Sequence, residues 1–259
     1  MTKFIAIASG KGGVGKTSTA INLGTALSQM GRHVVVMDAN LTTPNVGIHL
    51  GVSKVPVSLN DVLRGKKSIS DAAYEHSSGL KIIPASISME ELAHINYDKL
   101  TDAVLDLDGK TELVLIDVAA GLGKEAISAI KSADEILVVV TPDMPSVTDA
   151  LKTIKLAHDV GIKTAGVIIN RVRDDGLELS AKNVEALLER PIVGIIPEDD
   201  NMRKALKQKH PIVFSHPESK ASLGYKKVAA LMVGAKYEHS ASKKQESFFN
   251  SLLKKLGLA

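Results

Sequence analysis

The chain has 259 residues, of which 44% are hydrophobic and only 3% aromatic, so it is long enough for one α/β domain with a core of aliphatic side chains. It has no cysteine, which excludes disulfides, thiolate metal sites and iron–sulfur clusters. The net charge is +3, and the last nineteen residues, with four lysines and one glutamate, account for all of it. This distribution argues against a broad nucleic-acid-binding face.

Short β-branched runs alternate with helical patterns, which is typical of a doubly wound sheet. Strands are predicted at Phe4–Ala8, His33–Met37, Leu80–Pro84, Leu113–Asp117, Glu135–Thr141, Ala165–Asn170 and Ile192–Ile196. Helices are predicted at Thr17–Met30, Lys124–Ser132, Ser146–Asp159, Ala181–Glu189 and Ser219–Met232. We therefore expect an α/β fold with a mostly parallel sheet flanked by helices over residues 1–236. A polar linker over 237–246 and an amphipathic helix over 247–259 should follow it.

A glycine-rich segment separates the first predicted strand from the first helix. It reads Gly10-Lys11-Gly12-Gly13-Val14-Gly15-Lys16-Thr17 and matches the Walker A pattern in full. Glycines let such a loop wrap around phosphates, and the helix that follows adds its positive dipole end. Lys16 should contact the β- and γ-phosphates, and the Thr17 hydroxyl should bind Mg²⁺. The predicted nucleotide-binding residues here are Gly12, Gly13, Val14, Gly15, Lys16, Thr17 and Ser18.

A second lysine, Lys11, directly follows the first glycine of this loop. The pattern resembles the deviant Walker A motif of the MinD/ParA family of ATPases. The resemblance implies that Lys11 reaches across an ATP-bound homodimer to the partner's phosphates, where it does the work of an arginine finger. The alternative interpretation is a solvated loop lysine.

Two further segments resemble the switch regions of that family. Asp117 ends a buried apolar run, at the sheet edge where ligands bind, and should hold a water on Mg²⁺, although an ordinary strand-end acid is the alternative. The resemblance implies that residues 118–122 form the second switch, in which Ala119 stands where the family usually has proline. Asp38 matches the first switch, but Asn40 replaces the aspartate that positions the attacking water. Asparagine cannot accept a proton as a carboxylate does, so hydrolysis should be slow, assisted from elsewhere or blocked.

The base-binding residues are predicted from the same resemblance. Asn170 ends a buried strand, and its amide matches the hydrogen-bonding groups of adenine; a strand-end turn former is the alternative. The segment Pro197, Glu198 and Asp199 resembles the loop that closes over the base. The Asn-Lys-x-Asp pattern typical of GTPases does not occur at these positions, which favours ATP over GTP.

The end of the chain carries a segregated apolar stripe. At 100° per residue its members fall within an arc of roughly 140°: Phe248, Phe249, Leu252, Leu253 and Leu256. Lys254 and Lys255 lie on the opposite side, as in helices that lie on anionic membranes. The segment resembles the membrane-targeting tail of MinD proteins. A helix docked on its own domain is the alternative.

The resemblance covers nearly the whole chain and implies an ATPase whose ATP-bound homodimer sits on an anionic membrane surface. A protein activator or cargo adaptor should stimulate hydrolysis and so release the dimer, and the expected task is spatial positioning, such as division-site placement. Because no apolar run approaches the ~18 residues of a membrane span, we expect a cytoplasmic protein, peripheral at the inner face of the membrane. Two alternatives stay open: a DNA-partition ATPase of the ParA type, and a non-hydrolysing ATP-dependent membrane scaffold.

Overall fold

The computed structural model describes residues 1–52, 54–88 and 95–235. Within them, eight strands form one sheet: β1 (Lys3–Ala8), β2 (Val34–Ala39), β3 (Tyr74–Glu75), β4 (Lys81–Ile83), β5 (Leu113–Val118), β6 (Glu135–Val140), β7 (Lys163–Val172) and β8 (Ile192–Pro197). Their order is β3-β4-β2-β5-β1-β6-β7-β8, and all neighbours are parallel except β3 and β4. The predicted doubly wound, mostly parallel sheet is therefore confirmed. The predicted linker and amphipathic helix, residues 237–259, lie outside the described residues.

Helices cover both faces of the sheet. The helices of the described residues are α1 (Lys16–Gln29), α2 (Val46–Leu50), α3 (Leu59–Leu63), α4 (Lys99–Leu105), α5 (Lys124–Lys131), α6 (Met144–Asp159), α7 (Ala181–Leu188), α8 (Asn201–Gln208), α9 (Ile212–Ser215) and α10 (Lys220–Met232), with a 3₁₀ turn at Ile69–Ala72. None of them is long and apolar enough to cross a membrane.

Strand side chains divide between two cores, one on each face of the sheet. Along β1, Phe4 and Ala6 belong to one buried cluster, and Ile5 and Ile7 belong to the other, as the two-residue period of a strand requires. The packing of α1 on the sheet is close, because a Cβ on Gly24 would lie 2.6 Å from Val36 Cγ2. The absence of a side chain at Gly24 therefore lets α1 lie close against β2.

Several short elements were not predicted: β3 and the helices α2, α3, α4, α8 and α9. Strand β3 has two residues and these helices have four to eight, so their helical or strand periodicity is weak. Local caps define some of them; Ser58, for example, begins α3 with a capping box completed by Asp61. Strand β2 also extends past the predicted end at Met37 to Ala39, so Asp38 lies within the sheet.

Candidate nucleotide-binding site

The strand order brings the phosphate loop and both predicted switch regions to one edge of the sheet. Strand β5 lies between β1 and β2, and the loop of residues 9–15 leaves the carboxyl end of β1. In the register, Asp117 on β5 is the partner of Ile7 on β1 and of Asp38 on β2. Ligands of such sheets bind at this edge, so the predicted residues meet where a ligand is expected.

The glycines of the loop permit a backbone that other residues would strain. Gly13 and Gly15 have φ values of 80° and 99°, in the left-handed region that favours glycine. A Cβ on Gly15 would also collide with Asn170 Nδ2. Asn170 Nδ2 donates a 2.7 Å hydrogen bond to the carbonyl of Val14. The residue predicted to contact the base therefore holds the phosphate loop in place, and no sequence pattern indicates this contact.

Lys16 points back into the loop that precedes it. Its Nζ donates to Ser9 Oγ at 3.0 Å, and Ser9 Oγ donates to the carbonyl of Lys11 at 2.7 Å. Burial lowers the pKa of Lys16, while nearby Asp117 raises it. A buried ammonium with few protein partners is suited to bind an anion that enters the loop.

Asp117 and Thr17 form a compact pair of oxygen ligands. Thr17 Oγ1 donates to Asp117 Oδ2 at 2.5 Å, whereas the buried Oδ1 of Asp117 has no hydrogen-bond partner. Burial raises the pKa of Asp117 to about 6, opposed by the Thr17 hydrogen bond and by Lys16. A hydroxyl beside a carboxylate oxygen that lacks a partner fits a hydrated Mg²⁺, which takes one or two protein oxygens and keeps several waters.

Asp38 acts on the backbone of its own switch region. It is fully buried, and its Oδ2 accepts hydrogen bonds from the backbone N–H groups of Asn45 at 2.8 Å and Val46 at 2.9 Å. These contacts hold the start of α2. Burial first, and the neighbouring Asp117 carboxylate second, raise the pKa of Asp38 well above its ordinary value.

The side chain of Asn40 is engaged by the turn that follows it. Its Nδ2 donates to the Thr43 carbonyl at 2.6 Å, and its Oδ1 accepts from Thr43 Oγ1 at 3.0 Å. Asn40 therefore directs its amide into its own loop. This arrangement could not be read from the sequence.

A cavity of about 170 Å³ adjoins the phosphate loop. All four predicted base-site residues line it: Asn170, Pro197, Glu198 and Asp199. Asp199, however, uses its carboxylate to accept from the N–H groups of Asn201 at 2.9 Å and Ala221 at 3.1 Å, which ties the loop to α10. Tyr225 of α10 also lines the cavity, and burial raises its pKa to about 12. Tyr225 was not predicted as a residue of the site, because no motif marks this position.

Lys11 lies on the open side of the phosphate loop. Its Nζ is 3.6 Å from Asp143 Oδ1, and each of the two side chains is nearly half exposed. Asp143 caps the start of α6 by accepting from Ser146 N–H at 2.9 Å. An exposed ion pair of this length contributes little to stability, so Lys11 can exchange Asp143 for another anion.

Comparison with known proteins gives a consistent family. Residues 5–212 match the model of the CobQ/CobB/MinD/ParA nucleotide-binding domain. An uncharacterized ATP-binding protein of Methanocaldococcus jannaschii is 42% identical over 256 residues, which cover 99% of this chain and 97% of that protein.

Two solved structures from other organisms share the fold. The septum site-determining protein MinD of Pyrococcus horikoshii, complexed with Mg-ADP, is 34% identical with a TM-score of 0.86, covering 90% of this chain and 96% of that one. The MinC:MinD cell division protein complex of Aquifex aeolicus contains a chain that is 30% identical with a TM-score of 0.83, covering 92% of this chain and 98% of that one. Since the family model spans most of the sequence and the phosphate loop carries both lysines, this chain belongs to the MinD/ParA family of P-loop ATPases.

Proposed function

We propose that this protein hydrolyses ATP in a homodimer and that ATP-dependent dimerisation controls its residence on an anionic membrane. The observation that carries the proposal is the phosphate site. Lys16 is buried at that site, Asp117 and Thr17 present adjacent oxygens, and Lys11 lies exposed on the open side. The first three groups suit binding of Mg²⁺ and a nucleoside triphosphate. The exposed lysine suits a contact made across a dimer.

Each of these side chains has a distinct role in the proposed reaction. Lys16 binds the β- and γ-phosphates, Thr17 is a direct ligand of Mg²⁺, and Asp117 accepts a hydrogen bond from a metal-bound water. Mg²⁺ neutralises charge that develops on the phosphate oxygens. Lys11 of one subunit adds positive charge at the site of the other subunit, and Asp38 holds the loop that carries Asn40.

ATP is proposed as the nucleotide because of the adjoining cavity. The Nδ2 of Asn170 is committed to the Val14 carbonyl, so the side-chain oxygen of Asn170 is free to accept from the amino group of adenine. Pro197 and Glu198 also line this cavity. The Mg-ADP bound by the Pyrococcus horikoshii relative supports a nucleotide with magnesium at this site.

Replacement of Lys11 tests the contact across the dimer. We expect Lys11→Ala to bind ATP as tightly as the wild-type protein, because Lys16 remains. It should lose the ATP-dependent dimer and at least about tenfold in turnover, because the charge supplied in trans is gone. Light scattering with ADP and ATP measures the dimer. Lys163→Ala, an exposed lysine at the amino end of β7, is the matched control. A Lys11→Ala protein that dimerises and hydrolyses normally would contradict the assignment.

Replacement of Asn40 tests its role in hydrolysis. We expect Asn40→Asp to raise turnover about tenfold or more, up to the ~10²–10⁴-fold that a general base contributes. The substitution also removes the Nδ2 donor that bonds the Thr43 carbonyl, so only the Oδ1 contacts with Thr43 hold the new carboxylate in the turn. Steady-state ATPase rates give the answer, with ATP affinity measured in parallel. Equal rates in the two proteins would mean that another group orients the water.

A non-hydrolysing ATP-dependent scaffold is the second candidate function. It is favoured by Asn40, whose amide lacks a negative charge and is engaged by Thr43. ATPase turnover with and without anionic liposomes, run beside mass measurement in ADP and ATP, separates the two candidates. An ATP-dependent dimer on liposomes without turnover would favour the scaffold.

Spatial positioning is the proposed task, at the inner face of the cell membrane. The support is the likeness to a septum site-determining protein and the predicted amphipathic tail. A protein partner, either an activator or a cargo adaptor, is proposed because a MinD relative is found in complex with MinC. A DNA-partition role is less favoured, since the net charge over residues 1–240 is zero; a gel shift with ATP would detect it.

A further inference from the structure

A carboxylate at the start of α5 holds the first switch region. The backbone N–H of Thr42 donates to Glu125 Oε1 at 2.9 Å, and Thr42 Oγ1 donates to Glu125 Oε2 at 2.9 Å. Thr42 lies in the loop that follows β2, and Glu125 lies in the first turn of the helix that follows β5 and Asp117. The two hydrogen bonds therefore connect the segment after β2, the strand of Asp38, to the segment after β5, the strand of Asp117.

Thr42 lies inside the turn that engages Asn40. The next residue, Thr43, contacts both polar ends of the Asn40 amide, at 2.6 Å through its carbonyl and at 3.0 Å through its hydroxyl. Fixing the backbone N–H and the hydroxyl of Thr42 restricts the turn on which these contacts depend. The hydrogen bonds from Thr42 to Glu125 and the inward orientation of the Asn40 side chain therefore occur in the same loop conformation.

The chemistry of the contact makes it both specific and reversible. Hydrogen bonds to an ionised carboxylate are stronger than neutral ones, and two of them fix the direction of the loop. Both bonds are nevertheless exposed to solvent, where such interactions are weakened. A lysine or arginine that a bound protein presents to Glu125 would compete with Thr42.

We propose that Glu125 is a positioning residue for hydrolysis, which keeps the Asn40 amide turned into its own loop by holding Thr42. Release of Thr42 frees that amide to orient the attacking water. The inference rests on the ATP hydrolysis proposed for this site. A purely structural role is the competing explanation, because an acid in the first turn stabilises a helix through its dipole.

Two conservative variants separate these roles. Glu125→Gln keeps the side-chain length but removes the charge and one acceptor, and Thr42→Val keeps the shape but removes the hydroxyl donor. We expect each to raise kcat on the order of 3- to 10-fold, the effect of one hydrogen bond, with KM for ATP unchanged. The double variant should gain no more than the larger single gain, because both changes break one contact.

Two controls test whether the gain in kcat depends on the Asn40 amide or on the helix dipole. In an Asn40→Ala background, Glu125→Gln should give no gain, because the amide that it releases is absent. Asp102→Asn removes an acid from the first turn of α4 and should leave kcat unchanged. Helix-dipole loss alone would instead lower the melting temperature in both Glu125→Gln and Asp102→Asn without raising kcat.

Amide hydrogen exchange of a peptide covering residues 40–46 reports the loop directly, with no need for turnover. Faster exchange in Glu125→Gln and Thr42→Val is expected. An unchanged exchange rate in both variants would overturn the proposal that Glu125 holds this loop through Thr42. Faster exchange with an unchanged or lower kcat, or a gain that persists with Asn40→Ala, would overturn its role in hydrolysis. If the wild-type protein shows no turnover, the proposed hydrolysis fails and this role of Glu125 fails with it, while the exchange result still reports the contact.

Discussion

Lys16→Ala is expected to lose roughly 10³-fold in ATP affinity, as estimated from two lost charge-assisted contacts to phosphate. The Nζ of Lys16 is buried beside Ser9 Oγ, in a loop whose other groups are mainly backbone. The second lysine of this loop, Lys11, is nearly half exposed and lies 3.6 Å from Asp143, so we expect that it does not replace the buried ammonium of Lys16. Removing Lys16 also removes the positive charge that lowers the pKa of Asp117, which weakens that carboxylate as a partner of a metal-bound water.

Calorimetry with ATP and Mg²⁺ measures this affinity. Lys155→Ala, which removes an exposed lysine of α6, is the matched control and should bind ATP normally. A cooperative melting transition in Lys16→Ala should persist, because burial of the ammonium itself opposes folding, as its lowered pKa indicates. Unchanged ATP affinity in a folded Lys16→Ala protein would contradict the assignment of this loop as the phosphate-binding site.

The sequence could predict the parts of the site that depend on local pattern. The phosphate loop is contiguous, and its glycines mark backbone conformations that other residues adopt only with strain, as φ at Gly15 illustrates. Asp117 could be predicted because a carboxylate that ends a buried apolar run must lie at the carboxyl edge of a parallel sheet. The strand order then brings Asp38 beside it.

Contacts between distant segments could not be predicted in the same way. The bond from Asn170 to the Val14 carbonyl spans 156 residues, and the bonds from Thr42 to Glu125 span 83. The loop that contains Asp199 was predicted to close over the base with its backbone, but the sequence did not indicate that the Asp199 carboxylate accepts from Asn201 and Ala221. Such roles depend on which backbone N–H groups need a partner after folding, and a single sequence does not carry that information.

Removal of Ser247–Ala259 is expected to abolish sedimentation with anionic liposomes and to leave ATP binding intact. The segment lies outside the described residues, so the prediction depends on its sequence. Phe248, Phe249, Leu252, Leu253 and Leu256 share one side, and Lys254 and Lys255 lie outside that apolar arc, as in an interfacial helix. Residues 1–235 contain the whole candidate nucleotide site, which is why ATP binding should survive.

Charge reversal tests the electrostatic part of membrane binding. Lys254→Glu with Lys255→Glu should weaken liposome binding, because each lysine near an anionic surface contributes ~1 kcal/mol, and added salt should reproduce part of the loss. Lys243→Glu with Lys244→Glu makes the same charge change within the predicted linker and should have the smaller effect. Phe249→Glu should be at least as damaging as the Lys254/Lys255 pair, because it places a charge on the apolar side.

The nucleotide dependence connects the tail to the phosphate site. A helix of about twelve residues is marginal alone in water, so one tail binds a membrane weakly, and two tails in a dimer bind with avidity. Full-length protein should therefore sediment with liposomes better in ATP than in ADP, and Lys11→Ala should lose that difference.

A tail docked on its own domain predicts the opposite pattern. Truncation would then lower the melting temperature by exposing apolar surface, and the intact protein would ignore liposomes in either nucleotide. Co-sedimentation of both proteins, run beside their melting curves, decides between the two.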